Sequence, residues 1–250
     1  MSSDVLWHLR ESAGRQIVMF PFLGGFGASF NRLIGRLDGD WDVWTVNPPG
    51  HGTSVLPAVT RLDELVDLYL RELRDVLRPG AVFFGHSMGA VVGYHTLLAM
   101  TGRPEFDGRR PADLVLSASA GPRELPVVGL AGLPEPELMA HLRSFGTFPE
   151  EVLRDRSIME LFLPAFRADY EVLEEIRRRP VTRLDVSAHL ILGERDTQTP
   201  AGTPQVWQEY LVRPLRYHHL DRAEHMFVLD EPERVVPVLD DLNRVTAGAL

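Results

Sequence analysis

The sequence predicts an α/β protein, with a mostly parallel central sheet, helices on both of its faces and a helical lid inserted late in the chain. Three observations predict it. Short apolar runs alternate with longer amphipathic ones, the rhythm of strand and covering helix. One run, Ala81-Val82-Phe83-Phe84, passes through Gly85-His86-Ser87-Met88-Gly89 straight into a helical stretch. From about Gly121 to Pro180 the alternation stops and no strand pattern occurs. A chain of 250 residues buries one sizeable core by default, so the expected organisation is a single domain, 1–250, with the insertion at about 121–180.

Each element has a local reason. Gln16 to Phe20 is a compact apolar strand, and Pro21-Phe22-Leu23-Gly24-Gly25-Phe26-Gly27 after it is a loop that lets backbone approach closely. Ser29 or Asn31 is placed to cap a helix through Phe30, Leu33, Ile34 and Leu37. Trp41 to Val46 is the next strand, followed by the rigid loop Asn47-Pro48-Pro49-Gly50-His51-Gly52. Leu62, Leu65, Val66, Tyr69, Leu70, Leu73, Val76 and Leu77 recur at helical spacing. Val82 to Phe84 suits a central strand, and Val91, Val92, Tyr94, Leu97 and Leu98 a helix packed on it. Asp113 to Ala118 is a buried strand. Within the insertion, helices are expected at Glu135–Leu142, Pro149–Arg154, Ser157–Leu163 and Ala168–Arg178. Ala188 to Leu192 resumes the sheet; a helix at Gln205–Val212, a strand at Leu215–Leu220 and a helix at Glu231–Leu242 complete it.

Composition excludes several classes. Hydrophobic residues make up 44% and charged residues 24%, as in ordinary globular proteins. There is no cysteine, hence no disulfide, thiol nucleophile or thiolate metal site. A net charge of −9 argues against a nucleic-acid partner, which needs a positive footprint. Asp4, Arg10, Glu11 and Arg15 leave no apolar signal region near the first residue, and no run has transmembrane length. A cytoplasmic location is expected, with no membrane partner.

Gly85-His86-Ser87-Met88-Gly89 between strand and helix reads as the nucleophile elbow of an α/β-hydrolase fold. The serine sits on a strained turn whose neighbours must be small, which Gly85 and Gly89 satisfy. A serine hydroxyl needs a base, and the base an orienting carboxylate, in the chain order Ser, acid, His. His225 is the histidine in a loop between the last strand and the last helix. His86 lies inside the elbow, His218 and His219 inside a strand, and His51 in the proline loop, structural or at the pocket rim. The acid is expected in Gly193-Glu194-Arg195-Asp196, with Asp196 preferred and Glu194 the alternative. The oxyanion hole needs two backbone N–H groups: those expected are Met88, after the nucleophile, and Leu23 in the first loop.

Phe20-Pro21-Phe22-Leu23-Gly24-Gly25 with Ala28-Ser29-Phe30, Pro48-Pro49-Gly50-His51-Gly52-Thr53, and Phe84-Gly85-His86-Ser87-Met88-Gly89 together resemble the type II (external) thioesterases of nonribosomal peptide and polyketide synthesis. Phe162-Leu163-Pro164-Ala165-Phe166-Arg167-Ala168-Asp169-Tyr170 resembles that family's lid, and His225-Met226-Phe227 its terminal motif. The resemblance implies hydrolysis of acyl groups from the phosphopantetheine thioester of carrier domains. It also implies a triad of Ser87, Asp196 and His225 and an oxyanion hole at Leu23 and Met88. No metal or cofactor of the enzyme's own is expected; acyl and peptidyl carrier domains are the expected partners, and a monomer the expected state. Two departures stand out. Ala223-Glu224 precede His225 where the family usually has glycines, and Leu23 stands where the family often has Ala.

Overall fold

The computed structural model describes residues 3–38, 40–144 and 155–247. Seven strands form one sheet: β1 (Leu6–Arg10), β2 (Arg15–Phe20), β3 (Trp41–Val46), β4 (Val82–His86), β5 (Asp113–Ser117), β6 (Ser187–Gly193) and β7 (Arg216–Leu220). Their order across the sheet is β1-β3-β2-β4-β5-β6-β7. Only the β1–β3 pair is antiparallel. This mostly parallel sheet with its covering helices is the α/β-hydrolase fold that the sequence predicted.

Period-two alternation sorts the strands onto two cores. Val18, Phe20, Phe83, Leu114, Leu116 and Leu190 face one side. There they meet α2 (Leu62–Val76) and α3 (Met88–Ala99). Ile17, Met19, Val82, Phe84, Val115 and Ile191 face the other. Packed on that side are α1 (Asn31–Ile34) and residues further along the chain, including Phe227, Val228 and Leu239. Helix α2 buries Leu62, Leu65, Val66, Tyr69, Leu70 and Leu73 along one stripe, and Asp63 and Glu64 in its first turn suit the helix dipole. Helix α3 is buried nearly all round, as befits a helix between sheet and other helices.

Between β5 and β6 lie α4 (Glu135–Ser144) and α5 (Arg156–Arg178). The expected helix at Pro149–Arg154 lies outside the described residues. Two expected helices, Ser157–Leu163 and Ala168–Arg178, are one continuous α5 with Pro164 inside it. The reason is the stripe Met159, Leu163, Phe166, Tyr170 and Leu173, buried at helical spacing across the proline. Burying five such side chains, at roughly 1.5–3 kcal/mol each, outweighs the roughly 3 kcal/mol that a proline costs a helix interior.

Other boundaries also moved. Strand β1 was not foreseen; it is a half-buried edge strand whose His8 stacks on Trp44, with ring centroids 4.0 Å apart. Neither Ser29 nor Asn31 caps α1: the Ser29 hydroxyl accepts instead from the Phe26 N–H, and Asn31 is the first helical residue. Helix α6 is Thr203–Glu209. The expected last helix, Glu231–Leu242, is a 3₁₀ turn at Pro232–Arg234 followed by α8 (Val236–Ala247), and a short α7 (Phe227–Asp230) precedes it. Among the described residues, no helix is long and apolar enough to cross a membrane.

Candidate active site

The site forms at the carboxyl ends of β2, β4, β6 and β7, where parallel α/β sheets open to ligands. Ser87 follows β4 directly, with φ +54° and ψ −119°. Its N–H donates to the Ser117 carbonyl (2.7 Å) and its carbonyl accepts from Ala90 N–H (3.0 Å), so the turn is held from both sides. The flanking glycines are sterically required. A Cβ on Gly85 would lie 2.3 Å from the Gly89 carbonyl oxygen, and one on Gly89 would lie 2.0 Å from the Phe20 oxygen.

His225 comes from the loop between β7 and α7. Its Nε2 lies 3.0 Å from Ser87 Oγ, and its Nδ1 lies 2.9 Å from both carboxylate oxygens of Asp196. A carboxylate only accepts, so Nδ1 carries the proton and Nε2 is left to accept from the serine. The Asp196 side chain is fully buried. Its Oδ1 also accepts from the Gln198 N–H at 2.8 Å, which steadies it. Glu194 turns elsewhere: its Oε2 accepts from the Arg222 N–H at 2.6 Å. Arg222 has φ +58°, so Glu194 secures the strained corner of the loop that carries His225. The structure brings Ser87, His225 and Asp196 together and leaves Glu194 out.

The departure before His225 has a local account. Ala223 is buried, its carbonyl accepts from Arg195 N–H (2.9 Å), and a Cβ on Gly193 would meet that same oxygen at 2.4 Å. Here the close approach is made by the glycine ending β6, on the opposite side of the contact.

His86 plays a part the sequence did not reveal. It is fully buried, its Nε2 lies 3.1 Å from the His225 carbonyl oxygen and its Nδ1 lies 2.9 Å from Ser117 Oγ. The carbonyl can only accept, so Nε2 donates and Nδ1 accepts from the serine hydroxyl. Burial, reinforced by the neighbouring His225, pushes its pKa well below the usual histidine value, consistent with this neutral tautomer. It fixes the backbone of His225. His51 and Asp169 form a second unforeseen pair, 3.0 Å apart and buried behind the first loop.

A cavity of about 450 Å³, its open mouth included, adjoins the serine. Leu23, Met88 and His225 border it, so both expected oxyanion donors stand at the same opening as Ser87. Its apolar wall from the insertion comprises Leu125, Val127, Tyr170 and Leu173. Of the insertion's other apolar residues, Leu138, Met139, Leu142, Leu163 and Phe166 are buried in the core, Leu161 is 71% exposed, and the side chain of Ile158 lies outside the described residues.

A strained serine at a strand-to-helix turn, hydrogen-bonded to a histidine that a buried aspartate orients, has the geometry of the serine hydrolases of this fold. The sequence matches the thioesterase domain family over residues 15–244, and the chain belongs to that family, whose members are thioester hydrolases. It is 27% identical over 98% of its length to the "Probable cadicidin biosynthesis thioesterase" of Streptomyces griseus, of which it spans 64%. It is 25% identical over 97% of its length to thioesterase PikA5 of Streptomyces venezuelae, of which it spans 86%. In fold it is similar to the type II thioesterase BorB from the borrelidin biosynthetic cluster. That likeness has a TM-score of 0.84 and 24% identity, covering 97% of this chain and 98% of the other.

Proposed function

We propose that this thioester hydrolase removes acyl groups from the phosphopantetheine arm of carrier domains, clearing misprimed or stalled nonribosomal peptide and polyketide synthases. The observation that carries the reading is the apolar cavity at Ser87, walled on one side by the insertion. It suits an acyl chain delivered from outside on a long arm. The similarity to antibiotic-pathway thioesterases supports the same substrate class.

The chemistry follows from the geometry. His225 Nε2 takes the Ser87 proton as Oγ attacks the thioester carbonyl. The N–H groups of Leu23 and Met88 hold the oxyanion. The pantetheine thiol leaves with the proton from His225, and water, activated by the same nitrogen, hydrolyses the acyl-enzyme. Ser87, Asp196 and His225 are the catalytic residues in this reading. No cofactor of the enzyme's own is involved, since the phosphopantetheine arrives on the carrier. A cytoplasmic monomer fits this role.

The test compares acyl-carrier and acyl-pantetheine thioesters with p-nitrophenyl esters. The expected outcome is a higher kcat/KM on the thioesters and a covalent acyl adduct on Ser87. Preference for free esters would instead mark a small-molecule carboxylesterase. No reaction with a fluorophosphonate serine probe would mark a binding module.

A further inference from the structure

We propose that Asp169, on α5 of the insertion, is a positioning residue for the oxyanion loop, holding the Leu23–Gly24 peptide in its working orientation. The inference rests on the reading of Ser87 as acyl acceptor and Leu23 as oxyanion donor: the donor N–H belongs to the Phe22–Leu23 peptide, and Asp169 holds the next peptide of the same turn.

The loop is a turn. The Gly25 N–H donates to the Phe22 carbonyl at 2.7 Å, and Gly24, third of the four residues, has φ +71°. A positive φ at that position is the signature of a type II turn, which differs from type I mainly by a flip of its central peptide. Here the central peptide is Leu23–Gly24, and its N–H donates to Asp169 Oδ2 at 2.8 Å. After a flip, the Leu23 carbonyl would face the carboxylate instead, exchanging a charge-assisted hydrogen bond for repulsion.

The carboxylate is itself held. His51 Nε2 lies 3.0 Å from the same Oδ2, and His51 Nδ1 lies 3.0 Å from the Pro49 carbonyl oxygen. Both neighbours are acceptors, so the ring donates from both nitrogens and is charged. Burial by itself lowers the His51 pKa, but the charge and hydrogen bond of Asp169 outweigh it and raise it. Burial, followed by the charge of Asp169, pushes Tyr69 well above the usual tyrosine value.

Helix α5 and the turn also seat on each other. A Cβ on Gly24 would lie 2.0 Å from the Phe166 ring, so only glycine admits the helix this close. A second cavity of about 370 Å³ is bordered by Phe22, His51, Tyr69, Met88 and Asp169. Displacing α5 removes Phe166 and Asp169 together, so the insertion and the oxyanion hole assemble as one unit.

The experiment uses Asp169→Ala, Asp169→Asn and His51→Gln with an acyl-N-acetylcysteamine thioester, which needs no carrier. Asp169→Ala is expected to lower kcat about 10- to 100-fold, below the roughly 10²–10³ for outright loss of an oxyanion donor. KM should stay within about threefold, because the interaction matters in the transition state. Asp169→Asn keeps an oxygen for the Gly24 N–H and should recover much of the loss, with His51→Gln between the two. The Gly24 amide in ¹⁵N–¹H spectra gives a readout independent of turnover: it should move upfield and exchange faster in Asp169→Ala, while the Asp196 amide stays in place. An unmoved Gly24 amide, unchanged kcat in Asp169→Ala, or Asp169→Asn no better than Asp169→Ala overturns the inference. A responsive Gly24 amide in a protein that turns over no thioester upholds it and removes only the functional reading.

Discussion

Ser87 keeps a φ of +54° because the elbow leaves its neighbours no alternative, and the strain serves to expose the hydroxyl at the cavity. Ser87→Ala should lower kcat by about 10⁶, the scale known for serine knockouts in serine hydrolases, and abolish fluorophosphonate labelling. Asp196→Asn should lower kcat by roughly 10⁴, because the amide favours the wrong histidine tautomer. Glu194→Gln should leave kcat within about threefold, since Glu194 serves the Arg222 corner and not the imidazole. Steady-state kinetics on one thioester rank all three. An equal loss in Glu194→Gln and Asp196→Asn would mean that the loop corner, not the tautomer, governs the base.

At the scale of elements, α5 is the informative one. Pro164 is exposed in mid-helix and has no N–H to donate. Pro164→Ala should therefore stabilise by about 1–3 kcal/mol, raising Tm by roughly 2–12 °C in a chain of this size; calorimetry checks it. A lower Tm would show that α5 depends on the proline. The proposed carrier docking also concerns the insertion. Arg167 is half-buried and donates to the Ala131 carbonyl at 2.6 Å, so it ties α5 to the segment before α4. Arg143 is exposed at the end of α4. Arg143→Glu should raise KM for an acyl-carrier several-fold and leave KM for free acyl-pantetheine unchanged, as expected of a small transient interface. Equal effects on both substrates would remove Arg143 from the proposed docking surface.

Across the whole molecule, buried histidines set the response to acid. Burial, with the neighbouring charges of Arg179 and His218 respectively, lowers His95 and His189 to about 4. His86 is pushed well below 6.5 by burial and by His225. Each takes a proton near 6.5 when unfolded but resists it when folded. Their contribution to stability is therefore present above about 6.5 and lost as pH falls through the window toward 4. His51 has the opposite sign. Its folded value is raised, so its contribution is full below about 6.5 and lost as pH rises through that raised value. Tm measured from pH 8 to pH 4 should fall on the acid side. His189→Asn should flatten that limb, and His51→Gln should cost less stability at high pH than at low.

What the sequence by itself determined is what local pattern encodes. Apolar alternation and helical spacing yielded the parallel sheet, the amphipathic α2 and the break in rhythm at the insertion. Gly85 and Gly89 around Ser87 marked the elbow, because a tight strand-to-helix turn leaves a short signature. The chain order of serine, acid and histidine brought Ser87, Asp196 and His225 within reach, and the structure joins them by hydrogen bonds. Tertiary structure alone decided the rest. A half-buried edge strand such as β1 has little alternation to read, and the unbroken α5 depends on burial that its own proline opposes. The hydrogen bonds from His86 to the carbonyl of His225 and from Gly24 to Asp169 join residues far apart in the chain. Such contacts have no periodicity and no spacing of their own; they exist only once the sheet has set its strand ends side by side and α5 has come down across them.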